Sequence, residues 1–199
     1  NTNFELITSY AIMANKLNHI SKAIESFTYV LKKQPSNIIC LHNLYVIFLK
    51  KNFLDKALDL IEKIIKIDHH HFEALRDKAY ILYLKGNTEK AFEIIDKALK
   101  ENRKDIFGLN VKGLILLKNY ETTKAIKVFE NAILINNNYP DSYNNLGKCF
   151  YELENLELAF QNFKKAYRIN PQFDSAIINI ANVLSLKDKN VTAINFYNK

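Results

Sequence analysis

The amino-acid sequence predicts an all-α fold, a linear solenoid of helix hairpins, and three observations carry that reading. Alanine recurs every 34 residues, at Ala23, Ala57, Ala91, Ala125, Ala159 and Ala193. Apolar residues spaced four and then three apart form two stripes per 34-residue unit, and that spacing is one face of a helix. Only four glycines and three prolines occur in 199 residues, too few for the many turns of an all-β sandwich, while good helix formers dominate throughout.

The elements follow in order as a single array over residues 1–199. The first hairpin, 4–37, sets Ile7, Ala11 and Ala14 on one helix and Ala23, Phe27 and Val30 on the next, with Asn18 at the break between them. In the second, 38–71, the stripes are Leu41, Tyr45 and Phe48, then Ala57, Ile61 and Ile64, divided at Asn52. The third, 72–105, has Leu75, Ala79 and Leu82, a break at Gly86-Asn87, then Ala91, Ile95 and Ala98. The fourth, 106–139, has Leu109, Gly113 and Leu116 followed by Ala125, Phe129 and Ala132. The fifth, 140–173, has Tyr143, Gly147 and Phe150, a break at Asn155, then Ala159, Phe163 and Ala166. The sixth, 174–199, opens with Ile177, Ala181 and Leu184 and stops at Lys199 inside its second helix, which makes about 11 or 12 helices in all. Pro35 and Pro171 stand where one unit hands over to the next. A hairpin of this kind cannot cover its own apolar face. It stacks on its neighbours, with Ala or Gly wherever helix axes approach closely.

These residues resemble the tetratricopeptide repeat, and the resemblance spans the whole chain. It is fullest in the fifth unit, where Tyr143, Leu146-Gly147, Ala159, Phe163, Ala166 and Pro171 all fit the family's pattern. Departures are local: His69, Arg103 and Asn137 replace the closing proline, and Lys78 and Lys112 stand before the small residue. A lysine there can lay its methylene stem on apolar surface and keep its ammonium wet. The resemblance implies a right-handed superhelical solenoid whose first helices line a concave groove, and a role as a protein-protein interaction scaffold.

Mapped onto this sequence, that groove draws on Asn43, Arg76, Tyr80, Tyr83, Phe107, Asn110, Leu114, Asn144, Asn145, Lys148, Tyr151, Asn179 and Asn182. Tyr and Leu would seat apolar anchors, while Asn side chains would pair with the amides of an extended peptide. Across all thirty-six groove positions five cations face five anions. The net charge of +7 therefore lies on outer helices and loops, which argues for a solvated surface and against a nucleic-acid track. Domains of this family that clamp the acidic tail of chaperones use Lys, Asn and Arg at places held here by Thr8, Ile12, Asn43, Glu73 and Asp77. Two carboxylates would repel such a ligand, which speaks against a chaperone-tail clamp.

No catalytic or cofactor chemistry is expected. Gly108 and Gly113 lack the Lys and Ser/Thr of a phosphate loop and sit in a helix. His69, His70 and His71 are consecutive, so on a helix they point apart, and their expected place is a helix C-terminus and not a metal site. Asn190-Val191-Thr192 fits a glycosylation acceptor only in a secreted chain. Cys40 and Cys149 are three units apart and are expected as free thiols, and the cytoplasm is the default compartment. No run reaches the length of a membrane span. The last unit lacks a polar capping helix, so the natural chain is expected to continue. Two further readings follow from that: the recognition arm of a larger enzyme, or self-association through Ile194, Phe196 and Tyr197.

Overall fold

The computed structural model describes residues 2–186 and Ile194. Among the described residues there are eleven α-helices and no strand: α1 (Thr2–Lys16), α2 (Ile20–Lys33), α3 (Ile38–Lys50), α4 (Leu54–Ile67), α5 (Phe72–Leu84), α6 (Thr88–Glu101), α7 (Ile106–Lys118), α8 (Thr122–Ile135), α9 (Pro140–Glu152), α10 (Leu156–Ile169) and α11 (Asp174–Leu186). No described helix is long and apolar enough to cross a membrane. Ala193, Phe196, Tyr197 and Asn190-Val191-Thr192 lie outside the described residues, and Ile194 is helical and exposed.

The helices form two compact units, Asn1–Glu101 and Asn102–Lys199. In the first, α1 pairs with α2, α3 with α4 and α5 with α6, and α2 and α4 each pack on the first helix of the following pair. Its core centres on Ala11, Phe27, Tyr45, Ile61, Ile64 and Ile81. In the second unit α7 pairs with α8 and α9 with α10, with α8 on α9 and α10 on α11. Ala159, Phe163, Ile180, Val183 and Leu184 are buried together there.

The turn inside each hairpin is one device repeated. Asn18, Asn52, Gly86, Tyr120 and Glu154 all have φ between 57° and 84°, and they recur every 34 residues. The residue after each donates its N–H back to the helix, as in His19 to Ala14 O at 2.8 Å and Glu121 to Leu116 O at 2.9 Å. This is the left-handed closure that satisfies a helix's last carbonyls, for which Gly and Asn are the usual residues. Tyr120 and Glu154 carry no such signal in the sequence, and Asn155 instead caps α10 by accepting the Leu158 N–H at 3.1 Å.

The handovers from one hairpin to the next share a side-chain turn. Asp68, Asn102 and Asn136 stand just before His69, Arg103 and Asn137, and each accepts the N–H two residues on, at 3.0, 3.1 and 2.8 Å. Asn170 makes the same bond to the Gln172 N–H at 3.0 Å although Pro171 follows it, so this turn closes the handover with or without proline. Within the hairpins, side-chain volumes are complementary. A Cβ on Gly147 would lie 2.6 Å from the Phe163 ring, and one on Gly113 would strike Phe129. Tyr45 occupies the same repeat position in α3, and the residue facing it from α4 is the smaller Ile61.

Candidate functional site

In the first unit, the first helices of the hairpins, α1, α3 and α5, carry a polar seam beside a partly exposed apolar strip. Thr8 Oγ1 lies 3.4 Å from Cys40 Sγ. One helix further on, the Tyr45 hydroxyl donates to Asp77 Oδ2, and Arg76 Nε donates to Asp77 Oδ1 at 2.8 Å. The chain thus uses the oversized Tyr45, fully buried, to tie α3 to α5. Burial and the Asp77 carboxylate push its phenol far above the ordinary range. His42 stands edge-on to Tyr45 at 4.9 Å between centroids. Asn43 spends its amide on the Ile39 carbonyl of its own helix, 2.8 Å away. Tyr80 and Tyr83 are half-buried and stack with centroids 6.4 Å apart and planes 19° from parallel. Val46 and Leu49 of α3 remain half-exposed at the corresponding positions.

The second unit repeats the arrangement with amides. Asn110 Nδ2 donates to Ser142 Oγ at 2.7 Å and to the Ile106 carbonyl at 2.9 Å, while its Oδ1 accepts Asn145 Nδ2 at 3.1 Å. One step on, Asn179 Nδ2 donates to Asn144 Oδ1 at 2.9 Å. Asn110, Asn144 and Asn145 are 3%, 2% and 6% exposed, so their amides lie in the seam between first helices. Phe107, Leu114, Lys148 and Asn182 are half-buried, and Tyr151 is exposed. Burial lowers the Lys148 ammonium and raises the Asp141 carboxyl on the same helix, each partly offset by the other's charge.

Sequence reasoning assigned these asparagines to a groove surface, whereas Asn110, Asn144 and Asn145 are buried between first helices. What it missed is that polar residues 32 or 35 apart lie opposite one another in successive first helices, as Thr8 and Cys40, Tyr45 and Asp77, and Asn110 and Asn145 do. Polar pairs at that spacing are the signal that could have shown the seam. The three histidines take three separate partners: His69 the Ile65 carbonyl, His70 Glu101, and His71 the Ala74 N–H. Among the described residues no group of three His, Cys, Asp or Glu side chains is placed to hold a metal. Cys40 and Cys149 are buried free thiols.

A family model described as the Tetratricopeptide repeat protein 21 N-terminal ARM repeat matches residues 1–189. The chain belongs to this repeat family. It is a tetratricopeptide-like helical scaffold, a fold whose general work is protein-protein interaction. Solved structures agree on the fold. A Thermus thermophilus tetratricopeptide protein superposes with a TM-score of 0.76 at 18% identity, covering 91% of this chain and 98% of the other. One from Parabacteroides merdae gives 0.77 at 18%, covering 98% and 78%. YrrB, described as a tetratricopeptide protein with an unusual peptide-binding site, gives 0.60 at 20%, covering 87% and 90%. By sequence, no curated protein matches the chain.

Proposed function

We propose that this scaffold seats an extended segment of a partner protein on the inner strip of its first helices. Its anchors are Tyr80 and Tyr83 in the first unit; in the second, taken by itself, Phe107, Leu114, Lys148, Tyr151 and Asn182 offer the corresponding side chains. The observation that carries this reading is the stacked Tyr80–Tyr83 pair, held half-exposed on α5 while the residues around it on that helix, Asp77, Ala79, Ile81 and Leu82, are buried. Rigid aromatics that keep part of their surface in water lose little conformational entropy on binding, and tyrosine is enriched at interface hot spots. A repeat protein of the same fold whose description includes a peptide-binding site makes a peptide the fitting guest. Because Asn110, Asn144 and Asn145 are committed to the seam, recognition falls to the aromatic and aliphatic side chains together with the Lys148 ammonium.

A photoreactive phenylalanine analogue placed at Tyr83, and in a second variant at the exposed outer-helix residue Lys97, tests the reading. A partner crosslinked only from position 83 supports it, if the crosslink is lost on Tyr80→Ala with helicity unchanged. Equal crosslinking from position 97 would place the partner on the outer surface and overturn it.

A further inference from the structure

A groove in the first unit lies where α2 hands over to α3, with a described hairpin on each side of it. Its floor is Leu31, Pro35, Leu41 and Ile67, its rim carries Lys63 and Lys66, and its volume is about 340 Å³. Leu41 is 1% exposed and Ile67 42%, so the floor runs from the core to the surface. The two lysines are exposed and stand three residues apart on one side of α4. Among the described residues neither forms an ion pair, and Glu62, beside Lys63, is held by Lys78 at 2.8 Å. Asp68, the acidic residue that follows them, turns one carboxylate oxygen to the His70 N–H at 3.0 Å.

At two equivalent places the chain's own side chains take up what is left open here. One hairpin further on, Glu101 stands where Ile67 does, and its carboxylate meets the ring of His70, the counterpart of Ser36, at 2.8 Å. In the second unit Tyr143 replaces Leu41 and is half-buried instead of buried. There the ammonium of Lys165, the counterpart of Lys63, lies 5.8 Å from the Tyr143 ring centroid. The first handover has neither device, so its apolar floor and its two ammonium groups meet water side by side. That combination is complementary to an apolar side chain flanked by carboxylates. A nucleic acid would satisfy the lysines and leave the floor wet, since its phosphates supply most of its affinity.

We propose that this groove docks a short acidic segment of a partner protein. One large apolar side chain of the segment rests on Leu31, Leu41 and Ile67, and its carboxylates stand against Lys63 and Lys66. Lys32 and Lys33, in the last turn of α2, add to the attraction of an acidic segment at longer range. The groove shares no residue with the strip that carries Tyr80 and Tyr83, so the two sites are tested apart.

Fluorescence anisotropy with the full chain tests the proposal, the probe being a fluorescein-labelled peptide in which one phenylalanine is flanked on both sides by Glu and Asp. The wild type is expected to bind it with a Kd below about 1 mM, the weak end of specific association. Lys63→Glu with Lys66→Glu should weaken binding at least about tenfold. Lys97→Glu with Lys100→Glu makes the same charge change at the equivalent exposed positions of α6, and at about 0.15 M salt should weaken it no more than about twofold. Circular dichroism should be unchanged in both, since all four lysines are on the surface. A peptide with alanine for the phenylalanine should bind the wild type about tenfold more weakly, and Ile67→Ser should narrow that gap by removing part of the floor. Equal loss from the two lysine pairs would show general charge attraction, and equal binding of the alanine peptide would show that the floor seats no anchor. Either result overturns the proposal, as does a wild type that binds no probe up to about 1 mM. A single-stranded oligonucleotide that binds more tightly than the peptide and is lost with Lys63 and Lys66 would make nucleic acid the occupant and overturn it too.

Discussion

Replacing Asn110 by alanine separates the two roles open to the inner-face asparagines. The side chain is 3% exposed and makes two hydrogen bonds across to α9, at 2.7 and 3.1 Å, besides one to its own helix. Losing the two inter-helix bonds costs about 1 kcal/mol each, and the buried Asn145 amide left unpaired adds about 1–3 kcal/mol. The two contributions overlap, since the unpaired amide is one end of a lost bond, so the expected loss is about 2–4 kcal/mol. Urea unfolding followed by circular dichroism measures it. Asn43→Ala is the control: its amide bonds only the carbonyl four residues back, and its cost should stay within about 0.5 kcal/mol. Removing Asn145 as well should cost less than the sum of the two single changes, with a coupling of about 0.5–3 kcal/mol. If Asn110→Ala costs no more than Asn43→Ala and shows no coupling to Asn145, the amide is not committed to the seam. The peptide-pairing role then returns.

Three further outcomes follow from the packing, the turns and the thiols. Gly113→Leu drives a side chain into the Phe129 ring and should cost at least about 1–3 kcal/mol by the same unfolding assay, as should Ala91→Leu, where the alanine is fully buried. Tyr120→Gly should stabilise the fold by up to about 1 kcal/mol, because Tyr120 is 92% exposed with φ at 60° and so loses strain without losing packing; a lower melting temperature in scanning calorimetry would contradict this. Burial pushes the Cys149 thiol from its usual 9.0 up to about 12, so the unfolded chain releases its proton first as pH rises. Stability should therefore decline between about pH 9 and 12, and Cys149→Ala should show a shallower decline over that window; matching slopes would refute the assignment.

Much of the architecture was legible because a linear array writes its contacts at short range. Ala23 with Phe27 and Val30, or Gly147 opposite Phe163, are dictated by helix periodicity and by the volume available between paired axes, both of which act within one 34-residue unit. The turns at Asn18, Asn52 and Gly86 were readable from residues that tolerate positive φ. Those at Tyr120 and Glu154 were not, since there the packed hairpins impose the conformation on residues with no intrinsic preference for it.

The inner face divides along the same line. From its sequence alone the chain declares its helices, their pairing, the small residues at close approaches and the set of residues on each first helix. Tertiary structure decides which members of that set meet water and which meet one another. Asn110, Asn144 and Asn145 share a helix face with Tyr151 and Lys148, yet the offset of successive hairpins turns their amides into the seam, and Tyr45 is carried across to Asp77 by the same displacement. A period fixes direction around a helix axis. Depth is set by the neighbouring hairpin, whose position depends on side-chain volumes summed over both units of a contact.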